Sequence, residues 1–183
     1  LNVQRQLART DGLTGCINAR HFRELLTRDI ERFTRYKNPF TLVYFDLDNF
    51  KTINDTLGHA IGDEVLKTIA LTAKKTLRSA DTIARLGGDE FAVLMPETNS
   101  LQALQAMKRL QTQLIKAMTQ NEWETTCSMG GISCINETTD AQTLIQLADW
   151  LMYEVKHEGK DNIRHLTYEQ AKDRFKNHQT TLH

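Results

Sequence analysis

Six consecutive residues, Phe40, Thr41, Leu42, Val43, Tyr44 and Phe45, are aromatic, β-branched or aliphatic, with no charge among them. A run this short and this apolar reads as a buried central strand, because a half-exposed strand alternates and a helix needs a longer segment. It ends in Asp46, Leu47 and Asp48, so two carboxylates stand where the strand leaves the core. Of the two, Asp46 is expected to face inward, since Asp48 shares its face only if the strand stays regular.

Around this strand the periodicity alternates. Asn18 caps a helix with apolar positions Phe22, Leu25, Leu26, Ile30 and Phe33, which Asn38 and Pro39 stop near Tyr36. A short helical turn around Ile53 precedes a helix starting near Asp63 and burying Val65, Leu66, Ile69, Ala73 and Leu77. The period then shortens: Thr82–Arg85 and Phe91–Met95 flank Gly87 and Gly88, the tip of a tight hairpin where residues with positive φ are needed. A helix through Leu101 to Met118, a strand at Thr125–Ile135, a helix through Leu144 to Val155 and a short strand near Ile163 complete the order. The expected fold is α+β, a mostly antiparallel sheet of about five strands flanked by helices in a split βαβ arrangement. Residues 1–10 read as the end of an incoming helix or linker, with Leu1, Val3, Leu7 and Ala8 too few to define a heptad. Residues 11–166 read as the domain, and 167–183 as a loose polar tail.

A chain of 183 residues is one domain. Its 23 Lys and Arg balance 23 Asp and Glu, so no net field favours nucleic acid, and no apolar run approaches the ~20 residues that span a bilayer. Cys16, Cys127 and Cys134 are odd in number and form no CxxC pair, which reads as three buried fillers in a reducing cytoplasm. The chain begins at Leu1 without a leader, as an excised fragment would.

The chemistry concentrates at the strand end and the hairpin tip. If the two are neighbours, Asp46, Asp89 and Glu90 converge, and carboxylates ~4 Å apart repel by about 4 kcal/mol unless a metal or proton intervenes. Hard divalent ions take such oxygen ligands together with substrate phosphates. Lys51, Lys156 and Lys160 could neutralise phosphate, although each alone reads as a solvated charge. Asn54 and Asp63 could read a purine edge, but at a helix start Asp63 reads first as a cap, and His59 as a loop histidine.

These residues resemble the GGDEF domain of diguanylate cyclases. Gly87, Gly88, Asp89, Glu90 and Phe91 spell the motif; Asp11–Gly15 (DGLTG), Phe45–Lys51 (FDLDNFK), Asn54–Asp55, Gly58–Glu64 (GHAIGDE), Ser128–Gly131 (SMGG), Ala148–Asp149 and Tyr153 with Lys156, Gly159 and Lys160 follow in the family's order. The resemblance implies a fold like that of nucleotidyl cyclases and polymerase palm domains. It implies that Asp46, the Leu47 carbonyl, Asp89 and Glu90 hold two Mg²⁺ or Mn²⁺ ions per half-site. Lys51, Lys156 and Lys160 would contact a triphosphate, with Phe50, His59 and Gly88 beside the nucleotide. Asn54 and Asp63 would read guanine, which displaces the capping reading of Asp63.

The implied reaction joins two GTP into cyclic di-GMP with loss of two pyrophosphates, each domain of a homodimer presenting one GTP. Asp89, Glu90 and Lys51 are then the catalytic residues, and the 3′-hydroxyl proton goes to a carboxylate such as Asp89 or to a metal-bound hydroxide; the sequence leaves both open. Arg78 and Asp81, an RxxD placed before Gly87, resemble the family's inhibitory product site, and arginine can grip a guanine edge in bidentate fashion. The alternative is a basic residue compensating a helix end. Val155, Asp161 and Asn162 depart from the family pattern, and Lys160 stands where arginine is common; none removes a metal ligand. An active enzyme is therefore expected over a silent GTP or cyclic di-GMP receptor, with an upstream sensory element in the parent protein controlling pairing.

Overall fold

The computed structural model describes residues 9–181. The reading of residues 1–8 as an incoming helix lies outside them. The elements are β1 (Ile17–Asn18), α1 (Ala19–Tyr36), β2 (Phe40–Leu47), α2 (Phe50–Leu57), α3 (His59–Thr76), β3 (Thr82–Gly87), β4 (Glu90–Pro96), α4 (Ser100–Gln120), β5 (Cys127–Cys134), α5 (Ala141–His157), β6 (Ile163–Thr167) and α6 (Tyr168–Thr181). They form one six-stranded sheet in the order β1-β3-β4-β2-β5-β6. The three central pairings are antiparallel and the two outer ones, β1 with β3 and β5 with β6, are parallel. The expected five strands become six because β1 has only two residues, too few for any periodicity to register.

All eight residues of β2 are buried. The reason is alternation on a sheet covered on both faces. Val43, Phe45 and Leu47 pack against α3 and α4 with Val65, Ile69, Met107 and Leu110, whereas Phe40, Leu42 and Tyr44 pack against α1 and α5 with Phe22, Leu26, Leu147 and Leu151. Helices α1, α4 and α5 are each started by a side-chain cap. Asn18 Oδ1 accepts from His21 N at 3.0 Å, Asn99 and Gln102 form a reciprocal capping box, and Asp140 Oδ1 accepts from Thr143 N at 3.0 Å. The helix α5 lies close on β5 because Gly130 has no side chain: a Cβ there would sit 2.5 Å from Met152 N. All three cysteines are buried and free.

Two expectations are corrected. The polar segment after Thr167 is helical, and its Tyr168 and Ala171 are buried in the α1/α5 core, with Phe175 set edge-on to Trp150 at 5.1 Å. The second correction concerns α3, which begins at His59 rather than near Asp63, so Asp63 lies in its second turn and caps nothing.

Candidate active site

The strand β2 delivers Asp46 and Leu47 to one end of the sheet, and the β3–β4 hairpin delivers Asp89 and Glu90 beside them. Register fixes this meeting. Asp46 is paired with Glu90 across β2 and β4, one step beyond Phe45 and Phe91, whose rings stack at 5.3 Å on the opposite face. Directly opposed residues of an antiparallel pair share a face, so the two carboxylates lie on the side of α5.

From α5 comes Lys156. Its Nζ is ion-paired with Asp46 Oδ1, donates to the Leu47 carbonyl at 3.2 Å and lies 3.9 Å from Asp48 Oδ1. Burial pushes the Asp46 carboxyl up to about 6, against the pull of Lys156, and the charges of Asp89 and Asp48 push the same way. Asp89 is raised by burial, and Glu90 by burial followed by the charges of Asp149 and Asp89. These acids are destabilised as anions, which is the condition under which a cation is held.

Among the described residues no three His, Cys, Asp or Glu side chains are gathered in a metal-holding cage. The donor set nevertheless fits a divalent ion completed by phosphate. A carboxylate oxygen of Asp46 and the carbonyl of Leu47 already converge on one cationic atom, Lys156 Nζ. Asp89 and Glu90 stand within reach of the same field.

Asp48 behaves differently from a strand-end acid in water. It is completely buried and accepts from Thr126 Oγ1 at 2.6 Å, Ser128 Oγ at 2.7 Å and Asp161 N at 3.0 Å. It is thus more deeply buried than Asp46, contrary to the expectation that Asp46 is the inward one, and it ties β2 to β5 and to the loop carrying Lys160. That lysine is exposed and donates to Asn49 Oδ1 at 2.6 Å.

The α2–α3 hairpin hangs from the end of β2 through Asn49. Phe50 is half-buried and Lys51 exposed on the first turn of α2; His59 and Asp63 are exposed on α3. Asn54 is held against α3 at Gly62, where an added Cβ would lie 1.9 Å from Asn54 Oδ1 and 3.3 Å from the Phe50 ring. Asn54 and Asp63 are therefore presented by adjacent helices of the hairpin that follows Asn49.

Sequence reasoning missed Arg85. It donates from Nε and Nη2 to the Gly88 carbonyl at 2.9 and 2.8 Å, and from Nη1 to both Asp11 oxygens at 3.2 Å, while Asp11 accepts from Thr14 N and Oγ1. The hairpin tip is thereby clamped to the Asp11–Gly15 turn, and the signal was the position of Arg85 two residues before Gly87 on an otherwise apolar strand. Arg78 and Asp81 do meet. Asp81 accepts from Arg78 N at 3.0 Å and from Nη2 at 3.3 Å, and Arg78 Nη2 also donates to Thr98 Oγ1 at 2.6 Å, leaving the guanidinium half-exposed ahead of β3.

The family model described as "Diguanylate cyclase, GGDEF domain" matches residues 8–162. The chain belongs to the GGDEF family. Diguanylate cyclase DgcP of Pseudomonas aeruginosa is 38% identical over 166 residues, which cover 89% of this chain and 25% of that protein. The probable diguanylate cyclase DgcC of Escherichia coli K12 is 35% identical, covering 82% and 41%. This GGDEF chain thus spans a quarter to less than half the length of these curated relatives. Among solved structures, diguanylate cyclase SiaD of Pseudomonas aeruginosa, in complex with its activator SiaC, superposes with a TM-score of 0.81 at 31% identity, over 90% of this chain and 64% of that one. The fold is that of a GGDEF domain, and among the described residues no helix is long and apolar enough to cross a membrane.

Proposed function

We propose that this GGDEF domain is a diguanylate cyclase, condensing two GTP into cyclic di-GMP and two pyrophosphates as a homodimer with one GTP per domain. The observation that carries the reading is the convergence of the Asp46 carboxylate and the Leu47 carbonyl on the Lys156 ammonium, with Glu90 in register opposite. A strand end so arranged holds cationic charge against acids that burial destabilises, which is what a triphosphate site requires.

Asp46, the Leu47 carbonyl, Asp89 and Glu90 would hold two Mg²⁺ or Mn²⁺ ions per half-site; bound there, the ions supply charge neutralisation at the phosphates and acidify the attacking hydroxyl. Lys156, Lys160 and Lys51 neutralise the triphosphate from α5, its following loop and α2. Asn54 and Asp63 hold the guanine edge beside Phe50 and His59, with the backbone at Gly88 close to the nucleotide. In each half-reaction the 3′-oxygen of one GTP forms a bond to the α-phosphorus of the other, the α–β bridging bond breaks, and pyrophosphate leaves. Asp89, whose proton affinity burial raises, accepts the hydroxyl proton. Arg78, steadied by Asp81 and Thr98, would bind product and inhibit.

Chromatography of nucleotides after incubation with GTP and Mg²⁺, over a range of protein concentrations and with Asp89→Ala as control, tests the reading. Cyclic di-GMP from the wild type alone, rising faster than linearly with protein, is the expected result. GTP binding without product at any concentration would instead identify a silent receptor. A cyclic di-GMP affinity unchanged by Arg78→Ala would remove the inhibitory role.

A further inference from the structure

Next to Glu90, on the face covered by α1 and α5, lies an open pocket of about 360 Å³. Its lining combines apolar side chains, Phe22, Leu86 and Ile145, with two carboxylates, Glu90 from β4 and Asp149 from α5. Tyr44 lines it as well, and it is only 7% exposed. Among the described residues no hydrogen bond involves the Tyr44 hydroxyl, so this side chain, buried over most of its surface, is open to a guest at the pocket. No ion pair among the described residues joins Glu90 or Asp149 to a cation. Arg23, on the same lining, instead donates to Gln142 Oε1 at 2.7 Å and bridges α1 to α5.

A guest for this pocket must carry positive charge and several N–H donors, and must also lie against aromatic and aliphatic surface. A hydrated divalent ion meets the first demand and fails the last, because it keeps its waters and prefers an all-oxygen shell. An ammonium offers a compact, strongly hydrated charge. A guanidinium meets both demands: it is planar, weakly hydrated, donates in a fork that matches carboxylates and tolerates apolar faces. We propose that the pocket binds a guanidinium on an alkyl stem, the chemistry of an arginine side chain, with Glu90 and Asp149 accepting its N–H groups and the Tyr44 oxygen accepting another. The guest is either an arginine of a second copy of this chain or a free guanidino compound. Glu90 is also among the residues proposed to hold the divalent ions and opposes Asp46 in register, so a bound guanidinium and the metal would compete for it.

The probe is N-acetyl-L-arginine methylamide, with the uncharged citrulline analogue as its isostere, titrated into the full chain under conditions where it sediments as a monomer and followed by amide chemical shifts. The titration contains neither GTP nor divalent metal, so its outcome is separate from that of turnover. Saturable binding that perturbs Tyr44, Glu90, Ile145 and Asp149 is expected, at least tenfold weaker for the citrulline analogue and at least tenfold weaker for Asp149→Asn. Tyr44→Phe, which keeps the core ring, is expected to weaken binding severalfold. Equal binding of the two probes, shifts located elsewhere, or affinity unchanged by Asp149→Asn would each overturn the proposal. Sedimentation at higher concentration then assigns the source: self-association weakened by both the arginine probe and Asp149→Asn identifies the second copy, and association indifferent to both identifies a free guanidino compound.

Discussion

Asp46 and Glu90 oppose each other across β2 and β4, one position beyond the stacked rings of Phe45 and Phe91. The rings lie in the α3/α4 core and the acids on the α5 face, so a slip of one residue would exchange them and bury two carboxylates among aliphatic side chains. The aromatic pair, worth about 1 kcal/mol beyond its buried area, therefore sets the geometry of the acids as well as the register of the sheet.

The elevated proton affinity of Asp46 has a defined consequence for stability. Burial raises its folded value from 3.8 to about 6, so the folded state binds this proton more tightly than the unfolded chain between those limits. The contribution is fully present below about pH 4 and is lost as pH rises through 6, a change on the order of 2–3 kcal/mol. Urea denaturation in chelator from pH 4 to 7 should show this loss in the wild type relative to Asp46→Asn. At pH 7 Asp46→Asn should be the more stable of the two and should make no cyclic di-GMP. Parallel pH profiles would contradict the assignment.

Asp48 is predicted to matter for folding more than for chemistry. Its replacement by Ala removes the acceptor of two hydroxyls and the Asp161 N–H, all held at 3.0 Å or less. Stability should fall by about 3 kcal/mol, read as a shift in denaturation midpoint, with Ser128→Ala costing nearer 1 kcal/mol. An unchanged midpoint for Asp48→Ala would contradict this role.

Gly62 should control the nucleotide site through Asn54. An Ala Cβ at Gly62 would displace the Asn54 carboxamide, a flexible group free to swing away, while Ala favours the helix by about 1 kcal/mol. Gly62→Ala should therefore keep or raise the melting temperature and raise KM for GTP at least tenfold. A lowered melting temperature with unaltered KM would show that the contact serves packing alone.

The last helix is expected to be part of the cooperative fold. Ala171 is fully buried on α6, and Ala171→Asp places a carboxylate in the α1/α5 core, at a cost of about 3 kcal/mol or more. Arg164 and Arg174 also meet at Glu154, five residues after Asp149 and two before Lys156, so loosening α6 should reach the lysine. Thermal denaturation of Ala171→Asp measures the first effect; a wild-type melting temperature would restore the reading of a loose tail.

The helix α6 was legible in part. Thr167 and Gln170 form a reciprocal cap, with Thr167 N donating to Gln170 Oε1 at 3.0 Å and Gln170 N to Thr167 Oγ1 at 3.3 Å, and Tyr168, Ala171 and Phe175 recur at helical spacing. A sparse apolar stripe in a polar segment gave too weak a periodic signal to set against composition. The β1 strand carried none, since its pairing with β3 is long-range.

The sequence by itself determined the elements whose causes are local: the apolar run of β2, the caps of α1, α4 and α5, the two glycines of the hairpin tip, and the ordered motifs that assign the family. Tertiary structure alone decided what those residues do to one another. Asp46 lies on β2 and Asp48 just past its end, yet one is ion-paired with Lys156 and the other is enclosed by hydrogen bonds, because Thr126, Ser128 and Asp161 arrive beside Asp48 from distant segments. Glu90 meets Asp46 through strand register, and shares a pocket with Asp149 through the packing of α5 on the sheet. Burial, and the proton affinity that follows from it, is a property of the surrounding elements, and no spacing within a single segment encodes it.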